Sequence, residues 1–213
     1  MRATWLSSFI TDTIYLTAGA WTSGFVGSSV QRAMARRTYA TLAPRYDSDV
    51  LPLKGYFAPL EAALARLSIR PATVLDVSTG TGAVIGTVLE RFPQCRGVAV
   101  DLSPAMLSRA AQHARSGAWT ARFAAANAAR LPFRAGVFDL VSVQNAFPVP
   151  RELVRVTRHG GWVVMAYSAG GPVLPWVVRR MTRQLRALGC DSVETHQVGG
   201  GRYFLARRAK DAA

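Results

Sequence analysis

From residue 72 onward, short apolar runs alternate with longer stretches in which apolar and polar positions are mixed. The short runs predict strands at 72–77, 96–101, 121–125, 138–143 and 162–167. The mixed stretches predict helices at 82–92, from Ser103-Pro104 onward, at 151–157 and at 175–188. Two further runs, 192–198 and 202–207, flank Gly199-Gly200-Gly201 and predict a β-hairpin.

The order of these elements predicts the fold class. Strands that alternate with helices favour an α/β fold with a doubly wound sheet and helices on both faces. The seven predicted strands form a mostly parallel sheet, to which the C-terminal β-hairpin adds the antiparallel part. In such a sheet the ligand binds at the carboxyl ends of the strands, near the point where the strand order reverses.

Two predicted helices carry local signals of their own. The helix at 151–157 is followed by His159-Gly160-Gly161, and glycine there predicts a left-handed C-cap. The helix at 175–188 carries three arginines on one face: Arg179, Arg183 and Arg186. Its apolar residues are predicted to turn toward the core: Trp176, Val177, Met181, Leu185 and Leu188.

Residues 1–38 form an apolar and aromatic segment ahead of a single predicted domain at 39–213. Between Ala3 and Val30 the only charged residue is Asp12. A charge near the middle of a bilayer span is costly, so a helical cap or a membrane-surface element is favoured over a transmembrane helix. A secretory signal is disfavoured because the apolar run is interrupted, and a transit peptide is the weaker alternative.

Charge and cysteine content restrict the partners. The formal net charge is +14, with Lys54 and Lys210 as the only lysines. This excess fits an anionic partner, such as nucleic acid, a membrane surface or an acidic substrate, and equally a genome that favours arginine codons. The two cysteines and three histidines are scattered, so we expect no disulfide framework, no metal site and a cytoplasmic location.

The most informative stretch is VLDVSTGTG, which runs from the end of the first predicted strand into a loop of small residues. Gly80, Gly82 and Gly86 have the spacing G-x-G-x-x-x-G, which is neither the dinucleotide fingerprint nor a Walker loop. The glycines alone fit a ligand loop and a tight strand-to-helix turn equally well.

Two acidic residues favour a cationic ligand at this loop. Asp76 ends the first strand, four residues before Gly80, and Asp101 ends the next one. A carboxylate is a poor neighbour for pyrophosphate but a good one for an ammonium or a sulfonium, and S-adenosyl-L-methionine carries both. Asp101 is placed to accept the two hydroxyls of a ribose.

Four successive stretches resemble the motifs of class I S-adenosylmethionine-dependent methyltransferases. They are VLDVSTGTGAV, VAVDLSPAML, ANAARLPFRAGVFDLVSVQNAF and RELVRVTRHGGWVVMAY. With APRYD at 43–47, the pattern is most similar to the ubiquinone/menaquinone-type branch (methyltransferase domain 11-like), and it covers roughly 39–208. The resemblance implies a Rossmann-like fold, and in-line methyl transfer from S-adenosyl-L-methionine.

The resemblance also implies roles for individual residues. The methionine end of the cofactor falls to Asp76, Ser78, Thr79, Gly80 and Gly82, with Tyr46 closing over it. Asp101 takes the ribose hydroxyls. The remaining assignments are adenine contacts for Leu102, Met106, Asn127 and Ala128, and a place beside the cofactor for Gln144 and Asn145.

The chain departs from the family pattern at three places. Ser78 stands where glycine is commonest, and Asn127 stands where the family usually has Asp, so an adenine amino group meets an amide oxygen without charge assistance. Residues 145–156 are about eight residues shorter than in relatives. Because that region lines the acceptor pocket in the family, the resemblance does not carry over an acceptor.

The predicted function is a methyltransferase for a small acceptor, with lipophilic acceptors favoured by the aromatic N-terminal segment. The basic helix at 175–188 predicts peripheral contact with an anionic membrane. A degenerate S-adenosylmethionine-binding protein is the alternative, and an RNA or DNA methyltransferase is the third reading, with nucleic acid disfavoured. No residue is assigned as the catalytic base, although His196 and Tyr167 are candidates.

Overall fold

The computed structural model describes residues 29–117, 119–146, 149–168 and 175–210. Most of the predicted N-terminal segment, residues 1–28, therefore lies outside the described residues. Its last part, from Ser29, is the beginning of helix α1 (Ser29–Leu42). Two short helices, α2 (Tyr46–Asp49) and α3 (Ala58–Ala65), connect α1 to the sheet.

Seven strands form one sheet in the order β3-β2-β1-β4-β5-β7-β6. The first five are parallel: β1 (Thr73–Val77), β2 (Arg96–Asp101), β3 (Ala121–Ala125), β4 (Phe138–Gln144) and β5 (Thr157–Tyr167). The hairpin strands β6 (Cys190–Val198) and β7 (Gly201–Arg208) are antiparallel, and β7 lies between β5 and β6. The predicted fold class is confirmed, and the strand order reverses between β1 and β4.

The central strands are buried on both faces, because helices cover each side. All seven residues of β4 are buried. One core lies on the face covered by α6 (Pro150–Val156) and α7 (Pro175–Ala187), and the other on the face covered by α3 and α4 (Ala83–Arg91). Helix α5 (Pro104–Ser116) packs on β2 and β3, and α1 packs on α5. Within the described ranges, no helix has both the length and the apolar character that a bilayer span requires.

The junction between α6 and β5 differs from the prediction. Helix α6 ends at Val156, and Thr157 closes its last turn by donating from both its N–H and its hydroxyl to the carbonyl of Leu153. Because Thr157 is already extended, β5 begins there and not at Trp162. Gly160 does have a positive φ of 74°, but it lies inside β5 and caps no helix.

Helix α7 follows the predicted faces with one exception. Met181 and Leu185 are fully buried, whereas Trp176 is 40% exposed. Trp176 lies in the first turn of the helix, and with this much of its surface exposed the prediction that it turns inward is wrong. The three arginines predicted on one face are all exposed.

The hairpin is held against the body of the domain by a close backbone approach at Gly201, its first residue after the turn. A Cβ atom there would lie 2.6 Å from Cγ of Pro59 on α3 and 2.8 Å from the carbonyl oxygen of Ser168, and would be closer still to that of Tyr167. Gly200, the neighbouring turn residue, has nothing within 4 Å of the same position.

We therefore expect Gly201→Ala to lower the free energy of unfolding by about 2–4 kcal/mol, because backbone atoms cannot move aside for the added methyl group. Gly200→Ala is the matched control and should change it by less than about 0.5 kcal/mol. Urea unfolding followed by circular dichroism measures both. Equal effects of the two substitutions would contradict this account of the hairpin.

Candidate functional site

Asp76 lies near the end of β1 and is almost completely buried, with 1% of its surface exposed. Its Oδ1 accepts a hydrogen bond from the hydroxyl of Ser142 on the neighbouring strand β4, at 2.7 Å. Its Oδ2 is buried without a hydrogen-bond partner among the described residues. Burial raises the pKa of the Asp76 carboxyl to about 7, the hydroxyls of Thr79 and Ser142 act in the opposite direction, and the nearby charge of Asp101 adds to the rise.

Asp101 ends β2 and accepts hydrogen bonds from two backbone amides. The N–H of Gly80 donates to Oδ2 at 2.9 Å, and the N–H of Ser103 donates to Oδ1 at 2.8 Å. Burial raises the pKa of Asp101, while these amide bonds lower it. The first of them joins the end of β2 to the loop that follows β1, so the two acidic strand ends form one site.

The glycine loop, residues 78–82, bends sharply between β1 and α4. Ser78 and Gly80 both have φ near +60°, the left-handed region, which explains why glycine is common at position 78 in the family. The N–H of Thr79 donates to the carbonyl of Val100 at 3.0 Å, which anchors the loop on β2. At Gly82, with φ of 85°, a Cβ would lie 3.0 Å from Cβ of Ala110 on α5, so glycine is required for the close approach of that helix.

The end of β4 carries an amide network. Nε2 of Gln144 donates to the carbonyl of Tyr56 and to the hydroxyl of Ser168, each at 2.9 Å, while its Oε1 is buried without a partner in the described part of the chain. Asn145 has an unusual φ of 51° and bonds to Ser168 through both ends of its amide. The ends of β4 and β5 are thereby locked together beside β1.

Three tyrosines from the segment that precedes the sheet lie near the carboxyl ends of the strands. The hydroxyls of Tyr46 and Tyr56 are 3.4 Å apart. Burial raises the pKa of Tyr39 to about 12 and also raises the pKa values of Tyr46 and Tyr56. The charge of Asp101 contributes to the rise for Tyr39 and Tyr46, and that of Asp76 to the rise for Tyr56, so the three hydroxyls are neutral and close to both acids.

The residues predicted around an adenine ring lie along the end of β2 and the segment after β3. Leu102 is half-buried, whereas Met106 is 1% exposed and belongs to the packed side of α5. Oδ1 of Asn127 accepts a hydrogen bond from the N–H of Ala129 at 3.0 Å, in a short bridge that orders the segment containing Ala128.

The two candidate bases are not placed for that role. His196 is on β6, at the outer edge of the sheet and four strands away from β1, where it pairs with Glu194 at 3.3 Å. Tyr167 ends β5 and packs edge-on against Phe204, and burial raises the pKa of its hydroxyl. A tyrosine with a raised pKa keeps its proton at neutral pH, so it is a poor base.

Comparison with known proteins agrees with this arrangement. Residues 74–161 match the family described as "Methyltransferase domain". The chain is 37% identical over 153 residues to the demethylmenaquinone methyltransferase of Deinococcus radiodurans, covering 66% of this chain and 63% of that protein. It is 33% identical over 147 residues to the malonyl-acyl-carrier-protein O-methyltransferase of Halorhodospira halophila, covering 65% and 49%.

Over residues 74–161 the chain matches a methyltransferase domain, and it is similar to class I S-adenosylmethionine-dependent methyltransferases. Their cofactor is S-adenosylmethionine, and the similarity is to the ubiquinone/menaquinone type. The chain spans a little over three fifths of the length of the first relative and about half of the second.

Solved structures show the same fold at low sequence identity. Human N-acetylserotonin methyltransferase, determined in complex with S-adenosylmethionine, has a TM-score of 0.60 and 15% identity, covering 81% of this chain and 56% of that one. The cyclase SpnF has a TM-score of 0.67 and 18% identity, covering 83% and 96%.

Several residues of this methyltransferase site were missed by sequence reasoning. Ser142, Ser168 and Tyr56 hold the predicted residues Asp76, Gln144 and Asn145 in place. Ser142 alone had a recognisable signal, since it is a polar residue inside an apolar strand. The other two lie in segments with no distinctive pattern, and only the folded chain brings them to the site.

The raised pKa of Asp76 predicts a pH-dependent stability. A carboxyl whose pKa is higher in the folded than in the unfolded state stabilises the fold at low pH. This contribution is lost as the pH rises through the folded-state pKa, here between about 4 and 7. Asp76→Asn removes this loss. Its free energy of unfolding relative to wild type should therefore increase from pH 4 to pH 8, by an amount on the order of 2–4 kcal/mol.

The matched control is Asp191→Asn, because Arg207 lowers the pKa of that exposed carboxyl. This variant should show a small change of the opposite sign. Urea unfolding at several pH values measures both differences. A difference between Asp76→Asn and wild type that does not vary with pH would show that the Asp76 carboxyl is not buried in its charged form.

Proposed function

We propose that this chain transfers a methyl group from S-adenosylmethionine to a small acceptor by in-line displacement. The observation that carries the proposal is the pair of buried acceptor atoms without partners, Asp76 Oδ2 and Gln144 Oε1, at the ends of the adjacent strands β1 and β4. Buried acceptors that lack donors are costly, so the site is complementary to a ligand group that brings several N–H donors and a positive charge. The ammonium of S-adenosylmethionine is such a group.

The same geometry supports the assignment of the remaining residues. Asp76, Ser78, Thr79, Gly80 and Gly82 hold the methionine end, with Gln144 and Asn145 beside it and Tyr46 above it. Asp101 keeps free lone pairs on both oxygens after its two amide bonds, and these accept the ribose hydroxyls. Leu102, Asn127 and Ala128 line the adenine. Met106, which is buried in the packed face of α5, supports the adenine region from inside the protein.

Bound there, S-adenosylmethionine supplies an activated methyl group on a sulfonium. The protein contributes position: the locked ends of β1, β4 and β5 fix the direction from which an acceptor approaches, which by itself provides a large acceleration. No side chain is assigned as a base, which fits an acceptor that is already ionised or that loses its proton to water.

Lipophilic or thioester-linked acceptors are favoured by the relatives, whose names describe methylation of demethylmenaquinone and of malonyl-acyl-carrier protein. The tyrosine cluster over the strand ends provides aromatic surface for such an acceptor.

Calorimetry with S-adenosylmethionine tests the cofactor site. We expect Asp76→Asn to weaken binding about tenfold or more, because a charge-assisted contact to the ammonium becomes a neutral one. Asp139→Asn is the matched control: Asp139 is also buried, but it lies at the amino-terminal end of β4, away from the carboxyl ends of the strands, where it accepts from the N–H groups of Ala72 and Thr73. It should alter stability and leave affinity unchanged.

A transfer assay completes the test. Cofactor labelled in the methyl group is incubated with a short-chain demethylmenaquinone or with a malonyl thioester, and the label in the organic extract is counted. Transfer to either acceptor supports the enzyme. Cofactor binding without transfer to these or to a lysate extract would favour the binding protein instead, and capture of NAD or ATP in place of S-adenosylmethionine would contradict both.

We further propose that the protein contacts anionic membrane surfaces. Support comes from α7, which exposes Arg179, Arg183 and Arg186 on one face and Trp176 at its start. Helix α1 has no acidic residue and exposes Val30 and Met34, at 58% and 61%. Basic side chains near an anionic bilayer contribute about 1 kcal/mol each, and aromatic residues favour the interface.

Cosedimentation with vesicles of phosphatidylcholine and phosphatidylglycerol measures this contact. The triple substitution Arg179→Gln, Arg183→Gln and Arg186→Gln should reduce binding at low salt by roughly tenfold or more. The control changes three exposed arginines elsewhere, Arg91, Arg115 and Arg122, to Gln, with an equal loss of charge. Equal effects of the two triple variants, or binding that does not depend on phosphatidylglycerol, would contradict a membrane-facing α7.

A further inference from the structure

His113, on α5, connects two parts of the site that belong to different elements. Its Nδ1 is 2.8 Å from the carbonyl oxygen of Thr81, in the glycine loop. Its Nε2 is 3.1 Å from Oδ2 of Asp47, which directly follows Tyr46 on α2. Arg109, one turn earlier on α5, places Nη2 3.3 Å from the same carboxylate oxygen.

These contacts determine which protonation state fits the geometry. A carbonyl oxygen only accepts, so Nδ1 carries a proton when it bonds to Thr81. A neutral ring would then present the lone pair of Nε2 to the carboxylate of Asp47, which is repulsive. Both contacts are favourable only when the ring is an imidazolium and Asp47 is ionised, and Arg109 favours the ionised carboxylate.

The surroundings leave Asp47 as the anion of this contact. The other charged or titratable groups on α5 and the elements packed against it are Arg115 on α5, Arg32, Arg36, Arg37 and Tyr39 on α1, Arg96 and Asp101 on β2, and Arg122 on β3. Helix α2, which His113 contacts through Asp47, adds Tyr46 and Asp49, and Asp49 pairs with Arg45 at 3.6 Å. Asp101 is the other carboxylate, and its oxygens accept from the amides of Gly80 and Ser103.

We propose that protonated His113 is a positioning residue, which latches the segment carrying Tyr46 onto the glycine loop and thereby tightens cofactor binding at low pH. The inference rests on the proposed function, because it assigns Tyr46 and the loop to the cofactor. Helix α5 is a firm base for such a latch, since Gly82 and Ala110 are in close backbone contact. With a neutral ring the link to Asp47 is lost, while Arg109 still faces that carboxylate.

The contribution of Asp76 to cofactor affinity has the opposite pH dependence, so the experiment must separate it from the contribution of His113. Its carboxyl, with a pKa of about 7, becomes charged as the pH rises and then attracts the ammonium more strongly. The informative quantity is therefore the ratio of the dissociation constants of His113→Gln and wild type, since both proteins contain Asp76.

Calorimetry with S-adenosylhomocysteine between about pH 5 and pH 8 measures this ratio over the range in which an imidazole changes charge. We expect it to be roughly two- to fivefold at the low end and close to one at the high end. His196→Gln is the matched control, because His196 lies at the far edge of the sheet, and its ratio should stay near one throughout. A ratio for His113→Gln that is the same at every pH would overturn the latch and leave a structural role only.

Hydrogen exchange without ligand provides the second readout. Amides at 46–50 and 79–82 should exchange faster in His113→Gln than in wild type at low pH, with the difference disappearing at high pH. Asp47→Asn should also speed exchange at low pH, because it removes the charge that the imidazolium needs, but part of its effect should remain at high pH because it removes the partner of Arg109 as well. Unchanged exchange rates in both variants would overturn the latch. Failure of the wild-type protein to bind S-adenosylhomocysteine would refute the proposed function, and the exchange rates would then decide whether the latch exists.

Discussion

The carboxylate of Asp76, buried near the end of β1 and held by one hydroxyl, is the constraint around which the site is organised. Removing a charge from water is costly unless a partner compensates, and Asp76 Oδ2 has none among the described residues. The raised pKa of the group and its complementarity to an ammonium both follow from this single fact. Asp101 adds a second carboxylate nearby, stabilised by backbone amides.

The surrounding structure fixes these acids at some cost to stability. Ser78 and Asn145 directly follow β1 and β4, the two strands that flank the reversal of strand order, and both have the left-handed backbone that is unfavourable for residues other than glycine. Such strain persists because the loop is bonded to β2, and Asn145 is bonded to Ser168. The ends of the strands are therefore held in place, while the tyrosines near them come from the segment that precedes the sheet.

The fold alone does not identify an acceptor. The cyclase SpnF has the same fold, and so has N-acetylserotonin methyltransferase. Sequence reasoning predicted the sheet because most of its parallel strands are largely apolar runs, and glycines mark the loop after β1 and the turn of the hairpin. It was wrong where tertiary packing overrode a local signal: Gly160 looked like a helix cap but lies inside β5, and Trp176 looked like a core residue but lies exposed in the first turn of its helix.

The sequence by itself determined where the acids and the glycine loop stand relative to the ends of β1 and β2. Asp76, Asp101 and the loop between β1 and α4 are local features, each visible in a short stretch of sequence. The tertiary structure alone decided which groups support them. Ser142 is 66 residues from Asp76, and the carbonyl of Tyr56 is 88 residues from the Gln144 amide it accepts from. Such partners are chosen by the register of strands and the path of connecting helices. A hydrogen bond depends on distances of a fraction of an ångström, and no periodicity of apolar residues encodes distances on that scale.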